Sequence, residues 1–338
     1  MIKLYVLTVF IILAMLICIS NGNAQENGLL GVASIKSIPH KILPKGIEIS
    51  IDTFPISIKG ELEKVVLLKD KFYCMFESDR QNTTRSFKKM IALNRDGEFI
   101  EDVFVPKKIQ ELSYYNLIVE NDSLFLKQYQ FNEKTFLLDK YEADLKPIDK
   151  RNFSIYEDDI FKVFSACYGE WGGTIFFQNI QTNEVYEAQV QCPIIVNKVK
   201  NSYYVTNYVG HMSGFASILK IPNPADLHKS NLNFSANQGS QFNDGIITLF
   251  NKSNFYIPTS FAVNGQLRHL YSDENGTYIG KIENNKMIPI YKFDFKFYAH
   301  FNQQDRTGKQ VLGFNIPESE YKGILIIVDG RLNFHFIK

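Results

Sequence analysis

Short apolar runs of five to eight residues, broken by Asn, Asp, Gly and Lys, recur along almost the whole chain. Runs of that length, rich in aromatic and β-branched residues and bounded by turn formers, predict many short antiparallel strands. Several turns are legible as such. Met90–Leu93 and Glu98–Val103 flank Asn94-Arg95-Asp96-Gly97, and Asp329-Gly330 joins Gly323–Val328 to Arg331–Ile337. Asn264-Gly265, Asn275-Gly276 and, more weakly, Asn284-Asn285 offer the positive φ angles that tight hairpins need.

A faint repeat overlies this pattern. Segments 65–76 (VVLLKDKFYCMF), 117–129 (LIVENDSLFLKQY) and 196–208 (VNKVKNSYYVTNY) each read as apolar strand, polar turn and aromatic-rich strand, and 247–259 (ITLFNKSNFYIPT) reads similarly. Asp70 and Asp122 are 52 residues apart, as are Asn201 and Ser253. A further unit centred on Gly173–Ile180 fits the gap between the two pairs. Propeller blades recur at roughly 40–50 residues, and a lone blade cannot cover its own apolar faces, so the repeat predicts a closed ring. Closure is expected between the C-terminal strands, 323–338, and the alternating segment 47–58, where Pro55 suits an edge.

The first 24 residues read differently. Lys3 precedes an apolar run from Leu4 to Ile19, and Gly22 and Ala24 supply small side chains after it. That order of basic, apolar and small-x-small regions is an export signal. Sixteen helical residues would span roughly 24 Å at about 1.5 Å each, short of a hydrocarbon core of about 30 Å, which disfavours a retained anchor. Met15, Leu16 and Ile17 before Cys18 are too large for a lipid-attachment site. The expected organisation is a signal peptide over 1–24, a leader over 25–46 and one all-β domain over 47–338. Its 314 residues beyond the signal make six blades at about 50 residues each, with seven open at about 45. Two β-sandwich domains are the alternative; the best break for them is the polar stretch Pro222–Gln241, which reads better as a long loop.

The strand-turn-strand patterns MIALNRDGEFIEDV and LIVENDSLFL, together with the signal, resemble exported bacterial six-bladed β-propeller proteins. The resemblance covers most of the mature chain but lies in patterning, without a diagnostic motif. It implies sugar handling, ligand binding or surface assembly in the periplasm, on the cell surface or outside the cell, and it carries over no functional residue.

Beyond the signal the charges balance at 36 basic against 36 acidic residues, with no basic run, so nothing recommends nucleic acid as a partner. A membrane enters only if the signal stays as an anchor. Cys167 and Cys192 flank a plausible strand pair and could bridge; Cys74, in KFYCMF, reads as a buried thiol, and no Cys-x-x-Cys occurs.

No catalytic motif is present. Trp171, the only tryptophan, sits between Glu170 and Gly172-Gly173. The plainer expectation is a buried seal between two blades; the other is a sugar-stacking platform. His211 lies between two glycines in GHMSGF (210–215), and these two loops form the favoured ligand-binding pair. His211, Arg268, His269 and Tyr271, with Tyr208, supply the residue types of a uronate lyase, and Asp158, Asp159, Glu170 and Asp244 are carboxylates that a glycosidase could use. No cofactor is predicted. A divalent metal stays open, because His211, His269 and His300 fall in successive blade regions, an arrangement that resembles some propeller polysaccharide lyases. The residues favour a non-catalytic binding or scaffolding propeller of the cell envelope, with a glycan or an envelope protein as partner. A propeller-type polysaccharide lyase or glycoside hydrolase is the alternative.

Overall fold

The computed structural model describes residues 40–43, 46–78, 88–112, 114–128, 134–138, 147–148, 152–167, 169–210, 214–231 and 239–338. The expected signal peptide, 1–24, lies outside them. The described strands form six sheets that follow one another along the chain, so the protein is a six-bladed propeller and neither a pair of sandwiches nor a seven-bladed ring.

Blade 1 comprises Glu61–Leu68, Lys71–Glu77, Lys88–Leu93 and Phe99–Val103. Blade 2 comprises Tyr115–Glu120, Ser123–Gln128 and Lys134–Leu137. Blade 3 comprises Ser154–Glu157, Phe161–Cys167, Gly173–Asn179 and Val185–Val190, and blade 4 Pro193–Val199, Ser202–Val209, Phe215–Ile221 and Ile247–Ser253. Blade 5 comprises Tyr256–Val263, Gln266–Asp273, Gly276–Glu283 and Lys286–Lys292, and blade 6 Tyr298–Gln304, Gln310–Asn315, Lys322–Val328 and Arg331–Ile337. First strands lie against one another between blades 1 and 2, 3 and 4, 4 and 5, 5 and 6, and 6 and 1. The described parts of Pro222–Gln241 lie between the third and fourth strands of blade 4, and His228–Lys229 joins the outer edge of blade 3.

The repeat is real in three of its four instances. Lys69-Asp70, Asn121-Asp122 and Lys200-Asn201 turn the first strand of a blade into its second, with positive φ at Lys69, Asp70, Asn121, Asp122 and Lys200. Segment 247–259 differs. Its two strands belong to blades 4 and 5, so Ser253 marks a crossing between blades and the second 52-residue spacing is fortuitous.

The core is a ring of seams. Five apolar clusters each lie between adjacent blades: 1 and 2, 3 and 4, 4 and 5, 5 and 6, and 6 and 1. The largest cluster gathers Phe293, Phe295 and Phe297 of the blade 5–6 connection with Phe314, Phe334 and Phe336 of blade 6, mostly edge to face with centroids 5.1–6.0 Å apart. Ile47–Thr53 joins the outer strand of blade 6 in parallel, from Glu48 opposite Arg331 to Thr53 opposite Phe336. The pairing continues through Phe54 N–H to Phe336 O and Ile58 N–H to Lys338 O. Ile47–Thr53 is itself covered by His40–Leu43, so it is not the sheet edge that its alternation and Pro55 pointed to.

Side-chain amides complete the closure between blades 6 and 1. Gln303 accepts the Leu67 N–H at 2.7 Å and donates to the Leu67 carbonyl at 3.1 Å. Asn315 does the same for Leu62, at 3.0 and 3.1 Å. Each amide acts as a single rung of sheet across a gap that no backbone spans.

Buried polar groups stitch blades 4, 5 and 6. Thr206 Oγ1 lies 2.7 Å from Ser260 Oγ, which lies 2.8 Å from His269 Nδ1. The Ser260 carbonyl accepts from Asn197 Nδ2 and Gln310 Nε2, and Gln310 Oε1 accepts from Thr259. The bond from Ser260 joins a hydroxyl to a neutral imidazole. Burial, helped by Arg268, holds its pKa at about 3. Burial and Lys64 hold His300 at about 4.

Phe334→Ala should cost about 3–5 kcal/mol, the range for emptying a fully buried phenylalanine site, measured as a shift of the denaturant midpoint with unchanged slope. Cys167 and Cys192 are joined by a disulfide that closes 25 residues. Its removal by Cys192→Ser should cost about 2–4 kcal/mol in chain entropy, read by the same titration. His269 and His300 stay neutral in the folded chain but take a proton near pH 6.5 when unfolded. Stability should therefore be full above pH 6.5 and fall as pH drops toward 4, by up to about 1.4 kcal/mol per pH unit for each histidine. His269→Gln should be less stable at neutral pH and lose less than the parent on acidification.

Candidate functional site

In an antiparallel blade the second-to-third turn and the exit to the next blade lie at the same end. These connections therefore share one face of the disc, and the first-to-second and third-to-fourth turns share the other. Both loops favoured from the sequence belong to the first face. Trp171 lies in the second-to-third connection of blade 3, and 210–214 is the equivalent connection of blade 4. His211 lies outside the described residues.

Trp171 is not a buried seal: it is 81% exposed, on a 3-10 turn spanning Gly169–Trp171. The reason is local. Cys167 is bonded to Cys192 beneath it, the Gly169 N–H reaches Cys167 Sγ at 3.5 Å, and Gly172 donates back to the Gly169 carbonyl. Gly173 lies so close to the Ala166 and Gln191 carbonyls that an added Cβ would sit 2.4 and 2.8 Å from them. These contacts fix the turn on which the exposed indole stands.

The residues of the lyase and metal readings lie elsewhere. His269 is sealed in the polar seam, 1% exposed. Tyr271 is buried between Phe255 and Tyr278, both rings 5.1 Å away and nearly parallel. Arg268 is buried too, with its NH groups on the Leu267 carbonyl and Gln266 and its Nε without a partner. Arg268 and His269 are consecutive in a strand and so leave it on opposite faces. His300 faces the blade 6–1 seam, with Nε2 3.3 Å from the Leu62 carbonyl. Among the described residues no three His, Cys, Asp or Glu side chains are gathered as a metal would need. Asp158 occupies a first-to-second turn, on the opposite face. Burial raises its pKa, but hydrogen bonds from Lys198, the Phe161 N–H and Tyr203 outweigh this and hold it below the ordinary value.

Beside the axis, Glu63 accepts a hydrogen bond from Tyr115, and burial raises the Glu63 pKa against that bond. Lys64 is lowered by burial, against the pull of Glu63. Tyr115 is buried, and the group binds blade 1 to blade 2.

The open concavity on the loop-bearing face is different in kind. It holds roughly 250 Å³ and runs across blades 4, 5 and 6. Tyr208 and Gly214 come from blade 4, and Asn254, Phe255 and Tyr256 from the crossing to blade 5. Asp273 and Glu274 come from the turn of blade 5, and Lys296 and Tyr298 from the crossing to blade 6. The Tyr208 and Tyr256 rings stand at 70° with centroids 4.7 Å apart; Tyr256 and Tyr298 are tilted at 57°, 6.5 Å apart. Tyr298 is 41% exposed. The Tyr256 hydroxyl donates to the Ala299 carbonyl. Burial pushes the pKa of Tyr208 up, and that of Tyr256 up further with the help of Tyr208, so both stay neutral phenols. Asp273 Oδ1 accepts the Asn275 N–H at 2.8 Å, which fixes the turn. Lys296 Nζ lies 5.4 Å from the Tyr298 centroid and 3.4 Å from the Glu274 carbonyl. Both carboxylates ride on one turn, whereas hydrolytic pairs flank a bond from two sides. The cleft offers aromatic faces, a few polar groups and open access, which suits binding.

Of these residues only Tyr208 stood out in the sequence. A signal for two others existed. Asn254-Phe255-Tyr256 and Lys296-Phe297-Tyr298 repeat a polar-Phe-Tyr triplet at the entry to successive blades, with Phe buried and Tyr on the cleft.

No protein-family model matches the chain, and no curated protein does. Solved structures similar to it include the β-propeller domain of the trilobed protease from Pyrococcus furiosus, at 9% identity and a TM-score of 0.36 over 80% of this chain and 94% of that one. Another is the β-propeller domain of Cps50 (Swd1) from Myceliophteria thermophila, at 9% identity and a TM-score of 0.37 over 80% of this chain and 98% of that one. A third is CoXyl43, a GH43 β-xylosidase/α-arabinofuranosidase from a compost microbial metagenome, at 11% identity and a TM-score of 0.34 over 69% of this chain and 94% of that one.

Proposed function

We propose that the protein is a non-catalytic binding propeller of the cell envelope, exported by its first 24 residues, and that it takes a glycan on the loop-bearing face. One observation carries the reading. Three tilted tyrosine rings and a few polar groups line an open cleft, on the same face as a tryptophan that is 81% exposed. Sugar rings present C–H faces to aromatic side chains and hydroxyls to polar ones, so a surface of this make-up matches their chemistry. Two ionisable groups that catalysis could use are instead engaged in seams: His269 with Ser260, Glu63 with Tyr115.

The test is isothermal titration calorimetry of the mature protein against neutral, acidic and amino oligosaccharides. Saturable binding is expected with at least one class. Tyr298→Ala should weaken it at least about tenfold, or about 1.4 kcal/mol, with Tm changed by no more than about 2 °C. Emission from Trp171, the sole tryptophan, reads whether its loop takes part. Binding untouched by Tyr298→Ala, or release of cleaved sugar, would overturn the reading.

A further inference from the structure

We infer that the tyrosine cleft recognises a protonated amine, and so that its glycan carries free amino groups. The inference rests on the glycan reading and deepens it. Tyr208, Tyr256 and Tyr298 line one cleft, with adjacent rings inclined at 57–70° so that they do not stack face on face. Ring faces are the negative side of an aromatic quadrupole and attract cations. Asp273 and Glu274 line the same cleft and make no ion pair among the described residues. The Asp273 oxygen that fixes the turn is Oδ1, and its Oδ2 takes no part in that bond.

The chain already shows what such a cleft attracts. The Lys296 ammonium lies 5.4 Å from the centre of the Tyr298 ring and, among the described residues, is held otherwise only by the Glu274 carbonyl at 3.4 Å. It occupies the place that a ligand amine would take and is tethered lightly enough to be displaced. A uronate would instead meet two carboxylates and this one cation. Arg268, the cation that a uronate reading called for, is buried in the protein.

The mature protein is titrated calorimetrically with a glucosamine oligomer, its fully N-acetylated counterpart, a uronic-acid oligomer and choline, at a pH low enough to protonate the sugar amine. The glucosamine oligomer should bind at least tenfold tighter than the acetylated and uronic forms. Lys296→Gln, which removes the internal competitor, should tighten it severalfold. Asp273→Asn, which keeps the Oδ1 acceptor for Asn275, should weaken it about tenfold with Tm unchanged. Equal or tighter binding of the acetylated or uronic oligomer, or weaker amine binding in Lys296→Gln, overturns the inference and leaves glycan binding standing. Choline binding as tightly as the oligomer supports amine recognition and overturns the glycan reading. Binding of none of the four overturns the amine inference, and the neutral sugars of the wider panel then decide the glycan reading alone.

Discussion

Everything in this molecule follows from the need of each blade to cover two apolar faces with its neighbours. A four-stranded sheet with large side chains on both faces has no stable existence alone, and a row of such sheets leaves two faces bare at its ends. Only a closed ring covers all of them. The burden of closure falls on blades 6 and 1, where the chain must meet itself across almost its full length. Three devices converge there. Ile47–Thr53 pairs in parallel with Arg331–Ile337, Gln303 and Asn315 supply amide rungs to Leu67 and Leu62, and the neighbouring seam between blades 5 and 6 buries seven phenylalanines. A long-range closure of this kind costs loop entropy, which the buried aromatic surface offsets.

Closure also decides where function can sit. The first-to-second and third-to-fourth turns, with left-handed residues such as Asn121-Asp122, Asn264-Gly265 and Asp329-Gly330, fall on one face. They are short, polar and bound to their own strands. The opposite face carries the exits between blades and the second-to-third connections, which vary in length and bring together residues far apart in the chain. Tyr208 and Tyr298 are neighbours in the cleft because blades 4, 5 and 6 are fixed by the Thr206–Ser260–His269 chain and by Gln310 beneath it. The polar seam contributes rigidity to the site without contributing chemistry.

What could be read in the sequence divides along the same line. The many short strands, several turns, the ring and its closing segments are encoded by neighbours in the chain, in two-residue periodicity and in Asn-Gly or Asp-Gly turns, so they were legible. The exception, 247–259, shows the limit: a crossing between blades has the same strand-polar-strand grammar as a hairpin, and only tertiary pairing separates the two. Trp171 was misplaced because the volume of an indole argues for burial, while the disulfide below it and the close approach at Gly173 argue against. The cleft was largely hidden because its residues come from four connections in three blades, and composition alone cannot tell a tyrosine on a cleft from Tyr271 in a stack.

That last contrast explains why histidine and arginine misled where tyrosine did not announce itself. Counting reactive residue types points to Arg268, His269 and Tyr271, adjacent in sequence and chemically suggestive. A strand scatters them: alternate residues face alternate blades, and the second strand of a blade is covered on both sides. Reactive groups within a second strand are thus held inside the disc, as Arg268, His269 and Tyr271 are. The positions that meet solvent are the one or two residues at a strand's end, where a chain leaving one blade turns into the next. Tyr256 and Tyr298 occupy those positions in successive blades, each following a buried phenylalanine that holds the backbone down. In a propeller the phase of a residue within the blade therefore says more about access than its chemistry does, and a polar-Phe-Tyr triplet at that phase is the pattern that marks the binding face.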